Sequence, residues 1–316
     1  MDRELRPPLP RARAWGRLLR LSLAPSAAAD VAAGLVLGAF GAWPAGAAPW
    51  LLIAASLCVY HGGMVLNDWA DRASDARTRP DRPIPSGAIS PRAALAAGLG
   101  LELAGVALAS LASPRSGLWV LAIAALAVLY DLAGRGPLRG PLLLGACRAL
   151  NLGLGVYFPG LLASEPRVAL PAGGWIPCAL YGVYVLSASR LARLEDEDDP
   201  RPLGSRPRRA LLVAAGALAA LPFVDPYAPG IGFSPLAWAI AWIAAFGLAR
   251  AALAPRAWSR GEVGRATGTA LRRLLAFTAA CAVLSDPARA TGWIVATAIL
   301  CGYPLSWRLR RVFPPT

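Results

Sequence analysis

Lysine is absent from this chain of 316 residues; all 32 of its basic residues are arginine. Alanine, glycine and proline are abundant, so the missing lysine reads as a compositional bias of the source genome and not as a functional signal. Charge is scarce as well. Only 16% of residues are charged, 56% are hydrophobic, and the mean hydropathy is +0.50. Such a chain is not a soluble globular domain but a polytopic membrane protein. Cysteine is sparse and unpaired: Cys58, Cys147, Cys178, Cys281 and Cys301 all sit inside apolar runs, none at ligand spacing. That excludes a disulfide framework and leaves them as small core residues. The net charge of +14 raises nucleic acid as a partner. No zinc-finger spacing or aromatic-basic interleaving supports one, and arginine-rich cytoplasmic loops explain the charge equally well. The first apolar run follows six arginines and lacks a small-residue cleavage site, so it reads as a retained span and not a signal peptide.

Ten apolar stretches are candidate spans, at 22–42, 47–66, 91–112, 117–132, 141–162, 173–192, 208–224, 233–253, 265–284 and 289–306. Arginines concentrate in the loops after the even-numbered spans: Arg72 to Arg82, Arg135 and Arg139, Arg193 to Arg209, and Arg256 to Arg265. The odd loops hold only Arg115, Arg167 and Arg289. The positive-inside rule then puts both termini and all even loops in the cytoplasm. The expected fold is an all-α, polytopic membrane helical bundle in the plasma (inner) membrane. It divides into a basic cytoplasmic tail (1–21), the bundle (22–286), and an additional C-terminal span with a basic tail (287–316).

Chemistry concentrates at the cytoplasmic ends of two spans. After the second come Asn67, Asp68, Asp71 and Asp75, followed by Arg72, Arg77, Arg79 and Arg82. Acids at the end of a membrane segment are costly to place and mark a functional site. Asn67, Asp71 and Asp75 recur every four residues, and such oxygen ligands beside arginines suit Mg²⁺ bridging to phosphates. Asp68 points away from Asp71 and reads as orienting a ligand or an arginine. After the sixth span come Glu195, Asp196, Glu197, Asp198 and Asp199, then Arg201. Taken singly, either cluster could be a solvated charge run. As a facing pair they form two carboxylate walls able to hold two Mg²⁺ ions with a diphosphate between them. A third group is Tyr130 and Arg135 at a cytoplasmic mouth, with Arg148 and Asn151 three residues apart inside the fifth span. Arg148 reads either as a ligand contact or as the partner of an intramembrane acid such as Glu102. His61, the only histidine, reads as an interior residue in preference to a base.

These residues resemble the UbiA-type intramembrane prenyltransferases. Asn67-Asp68-x-x-Asp71-x-x-x-Asp75 and the run from Arg79 to Gly87 are similar to the family's first aspartate-rich motif and its "RPIPSG" segment. Tyr130 to Arg135 looks like its Tyr-x-x-x-Lys-Arg motif, with Gly134 in place of the Lys. Glu195 to Asp199 is similar to its second aspartate-rich motif, with Glu195 in place of the leading Asp. The surroundings of Asn67 and Arg148 look most like the EboC-type branch. The resemblance implies a nine-helix core, with the tenth span an addition.

What it implies for function is Mg²⁺-dependent transfer of a prenyl group from a polyprenyl diphosphate to a lipophilic acceptor, aromatic or other, inside the membrane. Asn67, Asp71, Asp75, Glu195 and Asp199 would hold the metal; Asp71, Asp199 and Arg135 would be catalytic. Arg72, Tyr130, Arg135, Arg148, Asn151 and Arg201 would bind substrate. Two other functions use the same residues: a carrier of an anionic isoprenoid-like lipid, and an intramembrane terpene cyclase with an internal acceptor.

Overall fold

The computed structural model describes residues 10–133, 136–162, 172–196, 203–224, 234–255, 257–284 and 289–313. Among them there are helices and turns but no strand. The chain opens with α1 (Arg11–Leu18) and a 3-10 turn at Leu21–Leu23. There follow α2 (Ala24–Gly38), α3 (Ala48–Thr78), α4 (Pro91–Ala112), α5 (Pro114–Ala133), α6 (Arg139–Val156) and α7 (Phe158–Leu162). The second half holds α8 (Trp175–Asp196), α9 (Arg206–Ala220), α10 (Pro235–Leu253), α11 (Arg260–Arg272), α12 (Leu274–Leu284), α13 (Ala290–Leu300) and α14 (Gly302–Val312).

Among the described residues, six stretches are long and apolar enough to cross a membrane: Leu21–Gly38, Ala48–Thr78, Pro91–Ala112, Pro114–Ala133, Pro235–Leu253 and Arg260–Leu284. The other expected spans correspond to α6 with α7, to α8 and to α9, which are shorter or more polar. The outer surface is apolar; Leu103, Leu111, Ile243 and Phe246 are each more than 70% exposed, as side chains facing lipid are.

At the start of the described chain, Ala14 and Leu18 of α1 are fully buried, in a cluster with Val65 of α3 and with Ile84 and Ile89. The tenth expected span corresponds to α13 and α14, joined through Cys301, which keeps helical φ and ψ; Pro304 has no N–H to give the carbonyl of Leu300.

Small residues set the closest approaches. Gly34 and Gly38 on α2 lie on the backbone of α6 at Leu152 and Val156, and Gly155 lies on the backbone of α2. A Cβ at 155 would stand 2.5 Å from the Val31 carbonyl oxygen and the Leu35 nitrogen. Backbone atoms cannot swing aside, so Gly155→Ala is expected to cost about 1–3 kcal/mol or more. Gly100 on the exposed side of α4 has nothing within 4 Å of the same position. Thermal unfolding in detergent should show a lowered midpoint for Gly155→Ala and an unchanged or raised one for Gly100→Ala.

Helices α3, α5 and α8 all end, and α6 begins, at one end of the bundle, around a single cavity. Trp50 near the start of α3 and Trp175 at the start of α8 are exposed at the opposite end, as interfacial tryptophans are.

Candidate active site

The 31 residues of α3 rise about 46 Å, well beyond the ~30 Å of hydrocarbon, so its polar C-terminal third projects past the membrane. One stripe of this helix, Tyr60, Met64, Asn67 and Asp71, lines a cavity of about 890 Å³. Glu195 and Arg193 at the end of α8 line it too, as do Tyr130 of α5 and Arg148 of α6. Part of the wall is apolar: Leu144, Val185, Leu274 and Leu275.

The expected ligand set divides on this geometry. An α-helix turns about 100° per residue, so a spacing of four drifts by about 40°. Asn67 and Asp71 still share the cavity face, but by Asp75 the drift is about 80°. Asp75 instead shares a face with Asp68, seven residues back. Both are buried, at 4% and 2% exposure, and both meet arginine. Arg82 Nη1 donates to Asp75 Oδ2 at 2.6 Å and lies 3.5 Å from Asp68 Oδ1. Arg20 Nη2 donates to Asp68 Oδ1 at 3.0 Å. Asp75 is therefore an ion-pair partner for Arg82 in this structure and does not line the cavity. Arg82, Arg79 and Arg20 line the cavity, whereas Asp68 and Asp75 do not.

Local structure makes this possible. The run after α3 folds back on itself through Gly87, whose φ of +77° suits glycine. Ile84 and Ile89 anchor it in the α1–α3 cluster, and the Ser90 hydroxyl caps α4 by accepting from Ala93 N at 3.2 Å. Arg20 stands at φ +50°, an uncommon conformation for a side chain with a Cβ. The turn that carries it is held by His61, whose Nδ1 lies 2.6 Å from the Leu19 carbonyl. His61 thus takes an interior structural place.

Arg72 does not line the cavity. Its Nη1 donates to the Trp69 carbonyl at 2.7 Å and its guanidinium stacks 4.4 Å from the Trp69 ring centroid. Asn151 does not line the cavity either. It is buried, and its Nδ2 donates to Asp30 Oδ2 at 2.9 Å and to the Ala27 carbonyl. The intramembrane partner of Arg148 is Asp30, not Glu102. Arg148 Nη2 donates to Asp30 Oδ1 at 3.0 Å, and Tyr181 Oη donates to the same oxygen at 2.6 Å. Glu102 packs against the open face of Gly62 instead. Arg135, Asp199 and Arg201 lie outside the described residues.

Sequence reasoning missed Asp30 and Arg20. An aspartate within the apolar run of α2 was a signal open to the reasoning that singled out Arg148. Arg20 carried none, since a basic residue before a first span reads as a tail charge.

The cavity offers an amide and two carboxylates, Asn67, Asp71 and Glu195, beside arginines. Among the described residues no three His, Cys, Asp or Glu side chains form a ready-made metal cage. Mg²⁺ seldom needs one; it takes one or two carboxylates and completes its shell with substrate phosphates and water. The donor set fits that mode.

An all-helical bundle of lipid-crossing length, with an arginine-rich cavity at the end of its spans, defines a polytopic membrane protein with a site for an anionic ligand. Residues 28–267 match the model of the UbiA prenyltransferase family. The chain belongs to the UbiA prenyltransferase family. It is similar to the digeranylgeranylglyceryl phosphate synthase of Methanothrix thermoacetophila, 52% identical over 20% of this chain and 24% of the relative. To the synthase of the same name from Methanopyrus kandleri it is 32% identical over 72% of this chain and 84% of the relative. The chain thus spans about a quarter of the first of these relatives and most of the second. A solved structure of a digeranylgeranylglyceryl phosphate synthase shares the fold, with a TM-score of 0.53 at 14% identity, over 96% of this chain and 98% of that one.

Proposed function

We propose that the protein transfers a prenyl group from a Mg²⁺-bound polyprenyl diphosphate to a lipid alcohol inside the membrane. The name shared by its relatives supplies the classes of substrate: a geranylgeranyl-type donor and a glyceryl phosphate lipid as acceptor. The observation that carries this reading is the pairing of Asn67 and Asp71 of α3 with Glu195 of α8 in one cavity that also has apolar walls.

Asn67, Asp71 and Glu195 would hold Mg²⁺, two ions in our reading, which neutralises a departing diphosphate. Arg20 and Arg82 are held by Asp68 and Asp75 before any ligand arrives, so they meet phosphate oxygens without reorganising. Tyr130 stands in the same cavity to contact the donor. Leu144, Val185, Leu274 and Leu275 surround the allylic end and keep water from the cation formed as the C–O bond breaks. The acceptor oxygen then bonds to that carbon, and its proton leaves to solvent or to the released diphosphate. Asp199, Arg135 and Arg201 keep the metal and phosphate roles that the family resemblance gives them. The cavity opens on the side of the arginine-rich loops, which we assign to the cytoplasm along with both termini. The bundle at 22–286 carries the activity.

The test is product analysis with purified protein in lipid nanodiscs, Mg²⁺ and a panel of allylic diphosphates, with and without a glyceryl phosphate lipid. We expect a product whose mass is the sum of acceptor and prenyl group. Products from the diphosphate alone would make the protein a cyclase, and binding without any covalent product would make it a carrier.

A further inference from the structure

The arginines of the cavity fall into two sets. Arg20 and Arg82 meet Asp68 and Asp75, and Arg148 meets Asp30. Arg193 of α8, Arg272 of α11 and Arg310 of α14 line the same cavity. Among the described residues no carboxylate oxygen lies within 4 Å of any of these three. The Nε atoms of Arg193 and Arg310 are buried with no acceptor. Burial and the neighbouring Arg272 guanidinium both push the Arg310 pKa down. Cations brought together in a partly dry wall repel unless an anion sits between them, and guanidinium groups match phosphate in geometry.

Arg272 and Arg310 come from helices near the end of the chain, α11 and α14, and α14 packs on α2, α13 and the turn at Leu21–Leu23 that follows Arg20. On α14, Tyr303, Ser306, Trp307 and Arg310 line the cavity at spacings of three, four and seven, which is one helical face. Its other side exposes Leu305, Val312, Arg308 and Arg311, a mixed apolar and basic face suited to lipid headgroups. An anion bound at Arg310 has Trp307 on the same helical face.

Resting on the reading above that the acceptor is a phosphorylated lipid alcohol, we propose that Arg272 and Arg310 bind the acceptor's phosphate monoester. The α3 wall is left for the donor's diphosphate. Arg272 and Arg310 both lie beyond residue 267, where the family match ends, so this subsite belongs to the C-terminal part of this chain.

The test is equilibrium binding to the full chain in phosphatidylcholine nanodiscs. The probes are lysophosphatidic acid, the monoacylglycerol of the same acyl chain, soluble glycerol 3-phosphate, and a non-ionising geranylgeranyl thiodiphosphate with Mg²⁺. Wild type should prefer lysophosphatidic acid over monoacylglycerol by about ten- to a hundredfold. The Arg272→Gln/Arg310→Gln protein should lose that preference and bind the thiodiphosphate as wild type does. Ser306→Glu, which removes no arginine, should lose it as well, and decides the matter if the double variant does not fold. Equal wild-type binding of the two lipids, or a preference that survives both variants, overturns the proposal. So does displacement by glycerol 3-phosphate at the concentration of the whole lipid, which identifies a soluble phosphate ester as the ligand. Parallel loss of thiodiphosphate binding also overturns it, because the arginines would then serve the donor. Wild type that discriminates the phosphate headgroup but ignores the thiodiphosphate would remove the prenyl transfer reading and leave the subsite standing.

Discussion

Asp71→Asn is expected to abolish Mg²⁺-dependent release of diphosphate from an allylic donor, while leaving the protein folded. Asp71 lies on the cavity stripe of α3, and the change removes a charge but almost no volume. Losing an outer-shell partner of a metal typically costs about 10–100-fold in affinity or activity, so a lost carboxylate ligand should cost roughly 10²-fold or more. Raising Mg²⁺ should recover part of it. Asp75→Asn is the informative contrast. Its carboxylate holds Arg82 at 2.6 Å and does not line the cavity, so the loss should appear as weaker donor binding, with the Mg²⁺ dependence unchanged. Diphosphate release measured against Mg²⁺ concentration for both variants separates the two roles. An Asp71→Asn enzyme with wild-type turnover would remove Asp71 from the metal site.

The largest stability effect is expected at Asp30→Ala. Asp30 is fully buried and accepts from Arg148, Asn151 and Tyr181. Removing it leaves the Arg148 guanidinium in the bundle without a counter-charge, a loss of about 3–5 kcal/mol for a broken buried pair. The detergent-solubilised variant should fail to give a cooperative thermal transition, or should show one at a much lower temperature. Asp30→Asn keeps the shape and some hydrogen bonds and should fall between the two. If Asp30→Ala melts like wild type, the pair contributes nothing to the bundle.

The helical membrane architecture was legible in the sequence because apolar run length and arginine placement both report it. The candidate site was legible in part. Periodicity of four put Asn67, Asp71 and Asp75 together, but a helix repeats at about 3.6, and over eight residues the difference carries Asp75 onto the face of Asp68. Spacing also could not tell which way Arg72 would turn; Trp69, three residues back, offers both a carbonyl and a ring. The depth of Arg148 and Asn151 was readable, since both lie within an apolar run. Their partner was not, because Asp30 is set by the glycine contacts between α2 and α6, which no local pattern shows. The role of α14 was hidden for a similar reason: a proline inside an apolar run does not say where the helix after it lies.

The partnership of Asp30 with Arg148 also has a meaning for biosynthesis. The two residues are 118 positions apart, so α2 leaves the ribosome long before its counter-charge exists. An aspartate at the middle of a nascent span costs about 2.5–3.5 kcal/mol on the insertion scale. The first apolar segment is still apolar enough to enter lipid alone, but it carries that cost until α6 brings Arg148 and Asn151 to Asp30. The final packing of the N-terminal half around α2 is therefore a late event in translation.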